Sequence, residues 1–208
     1  MQKTSHRRRL IIAGSTATCL ANLVFVKAFS QTKDPALRFR GQGYFLREEK
    51  NETLFSFTPG DQSDMKTRTD MFSIVAYRDV KTYEQLQAQK NQVLATYRGP
   101  GSAIFDQQDA PPLPGFGGEC FFVTGKGGDG FTDACFARFT LVSGIGYALI
   151  YTRSFYDRLS ANKDSASALG KWINANGTDV AKSLQDFTIV LNAAILQKWA
   201  NSVSHNAG

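Results

Sequence analysis

Histidine is almost missing. The 208-residue chain has two, His6 and His205, each within a few residues of a terminus. Nucleophilic catalysis by serine or cysteine usually needs a nearby base, most often histidine. A histidine-based triad is therefore excluded on supply alone, and so is a histidine-rich zinc or iron site. Cysteine is nearly as scarce, with Cys19, Cys120 and Cys135 only. No Cys-x-x-Cys-His occurs, which excludes covalent haem attachment. Proline (6) and tryptophan (2) are few, while 42% of residues are hydrophobic and 20% charged. These proportions exclude a collagen-like chain, a disulfide-dense miniprotein and a wholly disordered chain. The length suits one domain with a tail.

Acidic residues are absent from the first thirty positions, which hold Lys3, Arg7, Arg8, Arg9 and Lys27. The formal net charge is +6, and five of those charges sit there. The rest of the chain is close to neutral and interleaved in sign, which argues against nucleic acid as a partner. A basic stretch, an apolar run over 10–26 and small residues Ala28-Phe29-Ser30 read as an export signal covering 1–30. Arg7-Arg8 followed by Leu10-Ile11 gives it a twin-arginine look, with an ordinary secretory signal as the alternative. An uncleaved anchor through 10–26 is the other alternative, since 17 residues is the short limit for a span. The expected location is periplasmic or secreted, or membrane-anchored if the leader stays.

Removing the leader leaves Cys120 and Cys135. An even pair in an exported chain reads as a disulfide. The flanking residues read as two strands around Gly125-Lys126-Gly127-Gly128-Asp129-Gly130, a strong turn signal. A two-residue turn at Gly127-Gly128 would set Cys120 opposite Cys135, within disulfide reach.

Along the chain, 31–43 reads as an extended lead-in. Residues 44–49 and 53–58 form a hairpin, the second strand alternating Leu54/Ser56 with Phe55/Phe57. Residues 71–78 are a third strand. Thr82 caps a helix carrying Leu86, Lys90, Val93 and Leu94 at helical spacing, ending before Gly99-Pro100-Gly101. A Pro/Gly-rich loop follows over 99–118. The cysteine hairpin runs to about Leu141, and 146–153 is a sixth strand. A helix begins at Asp164 or Ser165. Gly177 interrupts it, and a long amphipathic helix follows from Val180 through Leu184, Phe187 and Ile195 to Trp199. Residues 201–208 read as a polar tail. The expected class is α+β, an antiparallel sheet of about six strands packed against helices, in a single domain over 44–200.

This order resembles the Mog1/PsbP-like α/β/α sandwich group of small exported proteins. The residues that carry the resemblance are the paired strands 44–58, the strand 71–78 leading into helix 82–98, the hairpin 119–141, the strand 146–153 and the closing helix near Phe187. The cysteine pair and the helix beyond Phe187 are not part of that pattern. The resemblance implies a non-catalytic accessory or assembly protein, in several members attached to a membrane complex.

The remaining chemistry is thin. Gly125 to Gly130 lacks the spacing of a phosphate loop and lies between strands. Asp129 and Asp133 have no calcium-loop ligand set around them. Glu48, Glu49 and Glu52 fall on a hairpin turn, and Glu119 has no visible partner for paired-carboxylate work. Arg38, Arg40 and Arg47 beside Phe39, Tyr44 and Phe45 form the one local basic excess outside the leader, and peripheral contact with an anionic membrane stays open there. No cofactor is expected. The candidates for partner contact are Pro111, Pro112, Pro114 and Phe116 in the Pro/Gly loop, and Trp199 as an aromatic anchor. The expected function is an accessory subunit or assembly factor of a bacterial cell-envelope complex. A periplasmic protein binding a small molecule or lipid in an apolar pocket is the alternative, and a small hydrolase with a carboxylate site is a third reading.

Overall fold

Strands whose alternate residues are both apolar must be covered on both faces, and most strands of this chain have that pattern. The computed structural model describes residues 34–110, 118–128, 130–157, 165–188 and 193–204. The leader, the segment 111–117 and the last four residues lie outside them. The strands are β1 (Leu37–Phe39), β2 (Gln42–Lys50), β3 (Leu54–Pro59), β4 (Asp70–Tyr77), β5 (Ser102–Ala110), β6 (Glu119–Gly128), β7 (Phe131–Val142) and β8 (Ile145–Tyr156). The helices are α1 (Tyr83–Ala95), α2 (Ser165–Gln185) and α3 (Ala193–Ser204).

All eight strands form one antiparallel sheet in the order β1-β2-β3-β4-β8-β7-β6-β5. It is two four-stranded meanders joined side by side at β4 and β8. The class expected from the sequence holds, but the sheet has eight strands where six were expected. β1 lies in the stretch read as a lead-in. β5 occupies nine residues of the stretch read as a loop. Its sequence lacks the alternation of a half-buried strand because nearly all of it is exposed.

Helix α1 packs on β6 and β7 from one side, over Cys120, Phe122, Cys135, Ala137 and Phe139. Its start follows the cap read from the sequence. The Thr82 hydroxyl accepts from the Gln85 amide at 3.3 Å, and the Gln85 side chain accepts from the Thr82 amide at 3.2 Å. That reciprocal pair satisfies two first-turn donors. Helices α2 and α3 share the other core cluster. There Phe55, Phe57, Phe72, Phe136 and Tyr151 meet Leu169, Val180, Leu184 and Trp199. The result is a three-layer α/β/α sandwich.

Helix α2 runs through Gly177 without a break, and the break comes later, after Gln185. Tertiary contacts set it. The Phe187 ring packs on the Phe39–Phe72 pair, with centroids at 5.7 and 5.1 Å. The Arg138 guanidinium donates to the carbonyls of Leu184 at 3.2 Å and Phe187 at 2.7 Å. A cation at the helix C-terminus satisfies orphan carbonyls and complements the dipole. One apolar period therefore covers two helices. Helix α3 continues to Ser204, so the last turn includes residues read as a polar tail.

The β6–β7 turn differs from the sequence reading. Gly128 pairs with Phe131, and Gly130 takes a φ of +77°, which glycine adopts without cost. The turn lies two residues beyond Gly127-Gly128. Every cross-strand partner shifts by four, so Cys120 faces Phe139 and Cys135 faces Thr124. Four residues along a strand are about 13 Å, well beyond the ~7 Å limit for disulfide Cα atoms. The expected disulfide is replaced by two free, buried thiols on the α1 side of the sheet.

Candidate functional site

Strand β5 ends the sheet, and no strand borders its outer edge among the described residues. It carries the two most exposed large hydrophobic side chains among those residues, Ile104 at 40% and Phe105 at 47%. The pairing with β6 slips between Ile104 and Asp106, a bulge. Bulges on edge strands re-aim side chains and discourage indiscriminate pairing. The Phe105 ring lies over Gly125, where a Cβ would stand 2.9 Å from it. The strand is tied to α1 through Asp109, which accepts from Lys90 Nζ at 2.8 and 3.0 Å and from Gln87 at 3.1 Å. Burial pushes the Asp109 carboxyl up, but the bonds from Lys90 and Gln87 outweigh it and hold the group below the usual carboxylate range.

β5 leads directly into 111–117, so Pro111, Pro112, Pro114 and Phe116 lie outside the described residues. Trp199 does not serve as a surface anchor. It is 8% exposed and its ring packs against Phe55 and Phe57 at 5.6 and 5.1 Å. Glu119 is paired with Arg138, accepting from Nε at 3.1 Å and also from the Nη2 atom. It is part of the scaffold that holds the end of α2. Phe39 and Tyr44 of the basic-aromatic stretch are core residues, 2% and 3% exposed.

A second feature has no counterpart in the sequence reading. A cavity of about 350 Å³ opens where β4 and β8 emerge beside α2. Its floor is built on Asp70, which pairs with Arg153 across the β4/β8 ladder. Asp70 accepts from the Tyr151 hydroxyl at 2.6 Å, the Thr69 hydroxyl at 3.0 Å and the Gln62 amide at 3.3 Å, and forms an ion pair with Arg153. Gln62 is oriented in turn, its Oε1 accepting from the amides of Thr69 and Asp70 at 2.8 and 2.9 Å. Burial raises the Asp70 carboxyl, but hydrogen bonds from Tyr151 and Arg153 bring it below its ordinary value, so it is ionised at neutral pH. Arg40 of the β1–β2 turn, Gln42 at the start of β2, Asp61 and Trp172 of α2 also line it.

Neither feature holds an activated nucleophile. Burial, reinforced by Asp70, raises Tyr44 and Tyr151, so both are protonated phenols at neutral pH. Burial pushes the Cys120 and Cys135 thiols up to about 11, far from the thiolate that reactive cysteines need. Among the described residues no three His, Cys, Asp or Glu side chains converge as a metal site. No described helix is long and apolar enough to cross a membrane. Among the described residues, Phe55, Phe57, Phe72, Phe136 and Trp199 pack in the space between the sheet and α2/α3. A shallow apolar groove of about 430 Å³, floored by Leu54, Met71, Val75 and Ile150, lies on the part of the α1 side that α1 leaves open.

The three-layer class narrows the comparison. No family model matches the chain, and no curated protein matches it in sequence. Among solved structures it is similar to the Ran-binding protein Mog1p of Saccharomyces cerevisiae, at 8% identity and a TM-score of 0.45, over 69% of this chain and 82% of that one. A point mutant of Mog1 matches at 10% identity and a TM-score of 0.47, over 74% of this chain and 89% of the other. A Pseudomonas aeruginosa protein of unknown function, described as a putative regulator, matches at 10% identity and 0.42, over 72% of this chain and 99% of its own. Two of these three belong to the group named from element order.

Proposed function

We propose that this chain is a non-catalytic accessory subunit or assembly factor of a bacterial cell-envelope complex, exported by its first thirty residues and acting by contact with a protein partner. One observation carries the reading: the sheet ends in a nine-residue strand with Ile104 and Phe105 exposed, immediately before the Pro/Gly segment. An open strand edge offers main-chain donors and acceptors to a partner's strand, and exposed apolar side chains add selectivity. Natural proteins normally blunt such edges. Here Asp106 and Asp109 supply the charge while the two apolar side chains stay exposed.

The test is purification of the tagged full-length chain from its own cells in mild detergent. A stoichiometric complex is expected, and it should be lost in the double variant Ile104→Lys, Phe105→Lys, whose circular dichroism should match the parent. A monomer without partner overturns the reading, and a complex indifferent to the double variant overturns the assigned surface. N-terminal sequencing of the same material should begin near Gln31, whereas recovery of Met1 would mean that the leader stays as an anchor.

A further inference from the structure

We propose that the cavity between Arg40, Gln42, Asp61, Arg153 and Trp172 is a binding site for a neutral carbohydrate of one or two rings. Its volume lies near the lower end of ordinary ligand pockets, about 300–1,000 Å³.

A quaternary ammonium needs several open aromatic faces around it. Phe39, Tyr44 and Tyr151 border the cavity but are 2%, 3% and 4% exposed. Trp172 is the remaining ring, and it is half-buried. A strongly anionic ligand needs uncompensated positive charge. Arg153 is already paired with Asp70, and Asp61 lines the same cavity as Arg40. The wall is polar along most of its length, which does not suit an acyl chain.

A sugar hydroxyl both donates and accepts. The cavity offers both kinds of partner: guanidinium donors at Arg40 and Arg153, a carboxylate acceptor at Asp61, and an amide with both at Gln42. These are planar groups able to bridge neighbouring hydroxyls, and Trp172, held against Phe136 and Phe155, adds to the lining the aromatic surface on which the C–H face of a pyranose ring packs.

One further observation bears on the cavity, and the backbone at Arg40 supplies a clean variant. Arg153 Nε is buried and has no hydrogen-bond partner among the described residues, although its guanidinium is fixed by Asp70 and lies over the Phe155 ring at 5.8 Å. Buried donors of this kind are rare in folded proteins. Arg40 holds a φ of +50° at the turn before Gly41. The two-residue turn requires that region, as it does at Ser143-Gly144 with φ of +51° and +71°, and a long L side chain is disfavoured there.

Arg40 also supplies the test, because glycine suits its backbone better than arginine does. Binding of maltose and of N,N′-diacetylchitobiose is measured on the full-length protein by saturation-transfer NMR and by tryptophan emission. Citrate and choline serve as the anionic and cationic probes. At least one disaccharide should bind saturably. Arg40→Gly should weaken it on the order of tenfold, the loss expected for a hydrogen bond from a charged donor, while the melting temperature is kept or raised. Absence of saccharide binding overturns the proposal, as does saturable binding of citrate or choline alone. Sugar binding that ignores both Arg40→Gly and Gln42→Ala places the ligand elsewhere and overturns it too. These outcomes are separate from the co-purification test, which reads the opposite edge of the sheet.

Discussion

Cys120 and Cys135 are chemically quiet because of where the strands put them. Both side chains face α1, among Phe122, Ala137 and Phe139. A thiol in such surroundings resists ionisation, and reactivity follows the thiolate. In the native protein at neutral pH neither should react with a maleimide. After denaturation without reductant both should be labelled, as read by mapping the peptides that carry them. A mass shift showing the two joined would overturn the register of the β6–β7 ribbon. Five of the six residues from Gly125 to Gly130 favour turns. Which pair makes the turn decides every partner along two strands, and a turn placed two residues early moves a cysteine by the length of four.

At the scale of the element, β5 is paired on one side only, with β6, and its tie to α1 is titratable. The Asp109 carboxyl lies below its ordinary value, since the bonds from Lys90 and Gln87 overcome the effect of burial. Its contribution is therefore complete above about pH 4, the unfolded carboxylate value, and is lost as pH falls through the lower folded value. Amide exchange in β5 should quicken selectively in that acid range while β7 stays protected. Lys90→Met should give the quickening at neutral pH and cost about 2 kcal/mol, because Lys90 is fully buried and leaves Asp109 without its cation. Equal protection of β5 and β7 in both cases would remove Asp109 as the tether.

The elements that the sequence revealed share a trait: each is determined locally. Thr82 and Gln85 announce α1 by their own capping chemistry. Phe55 and Phe57 announce β3 by alternation. β5 does not announce itself, because an exposed edge has no buried face to impose a pattern. The split between α2 and α3 is equally silent, since Phe187 and Arg138 impose it from outside the helix. The polar cavity is the extreme case. Arg40, Asp70, Arg153 and Trp172 come from four elements, and no spacing in the chain connects them. Only Arg40-Gly41, a turn between two core aromatics, hints that a charged side chain is held in a costly place.

Over the whole molecule, the sheet depends on one seam. The β4/β8 ladder joins partners as distant as Asp70 and Arg153, 83 positions apart. The β6–β7 and β7–β8 hairpins need no such reach. Closing long loops before any pairing rewards them slows folding. In pulsed hydrogen exchange during refolding, the β4 and β8 amides that face each other should gain protection together, and later than those of the β6–β7 and β7–β8 hairpins. Early protection along the β8-facing side of β4 would contradict this order.

The seam also has a consequence for a chain as it is made. The ribosome releases β1 to β4 well before β8 exists. Through that interval the nascent first half ends in a bare row of amides and carbonyls, flanked by Phe72 and Ile74, the combination that nucleates clumping between neighbouring chains. Any cell that makes this protein has to bridge the delay, by shielding the growing polypeptide or by keeping it extended until its last strand arrives.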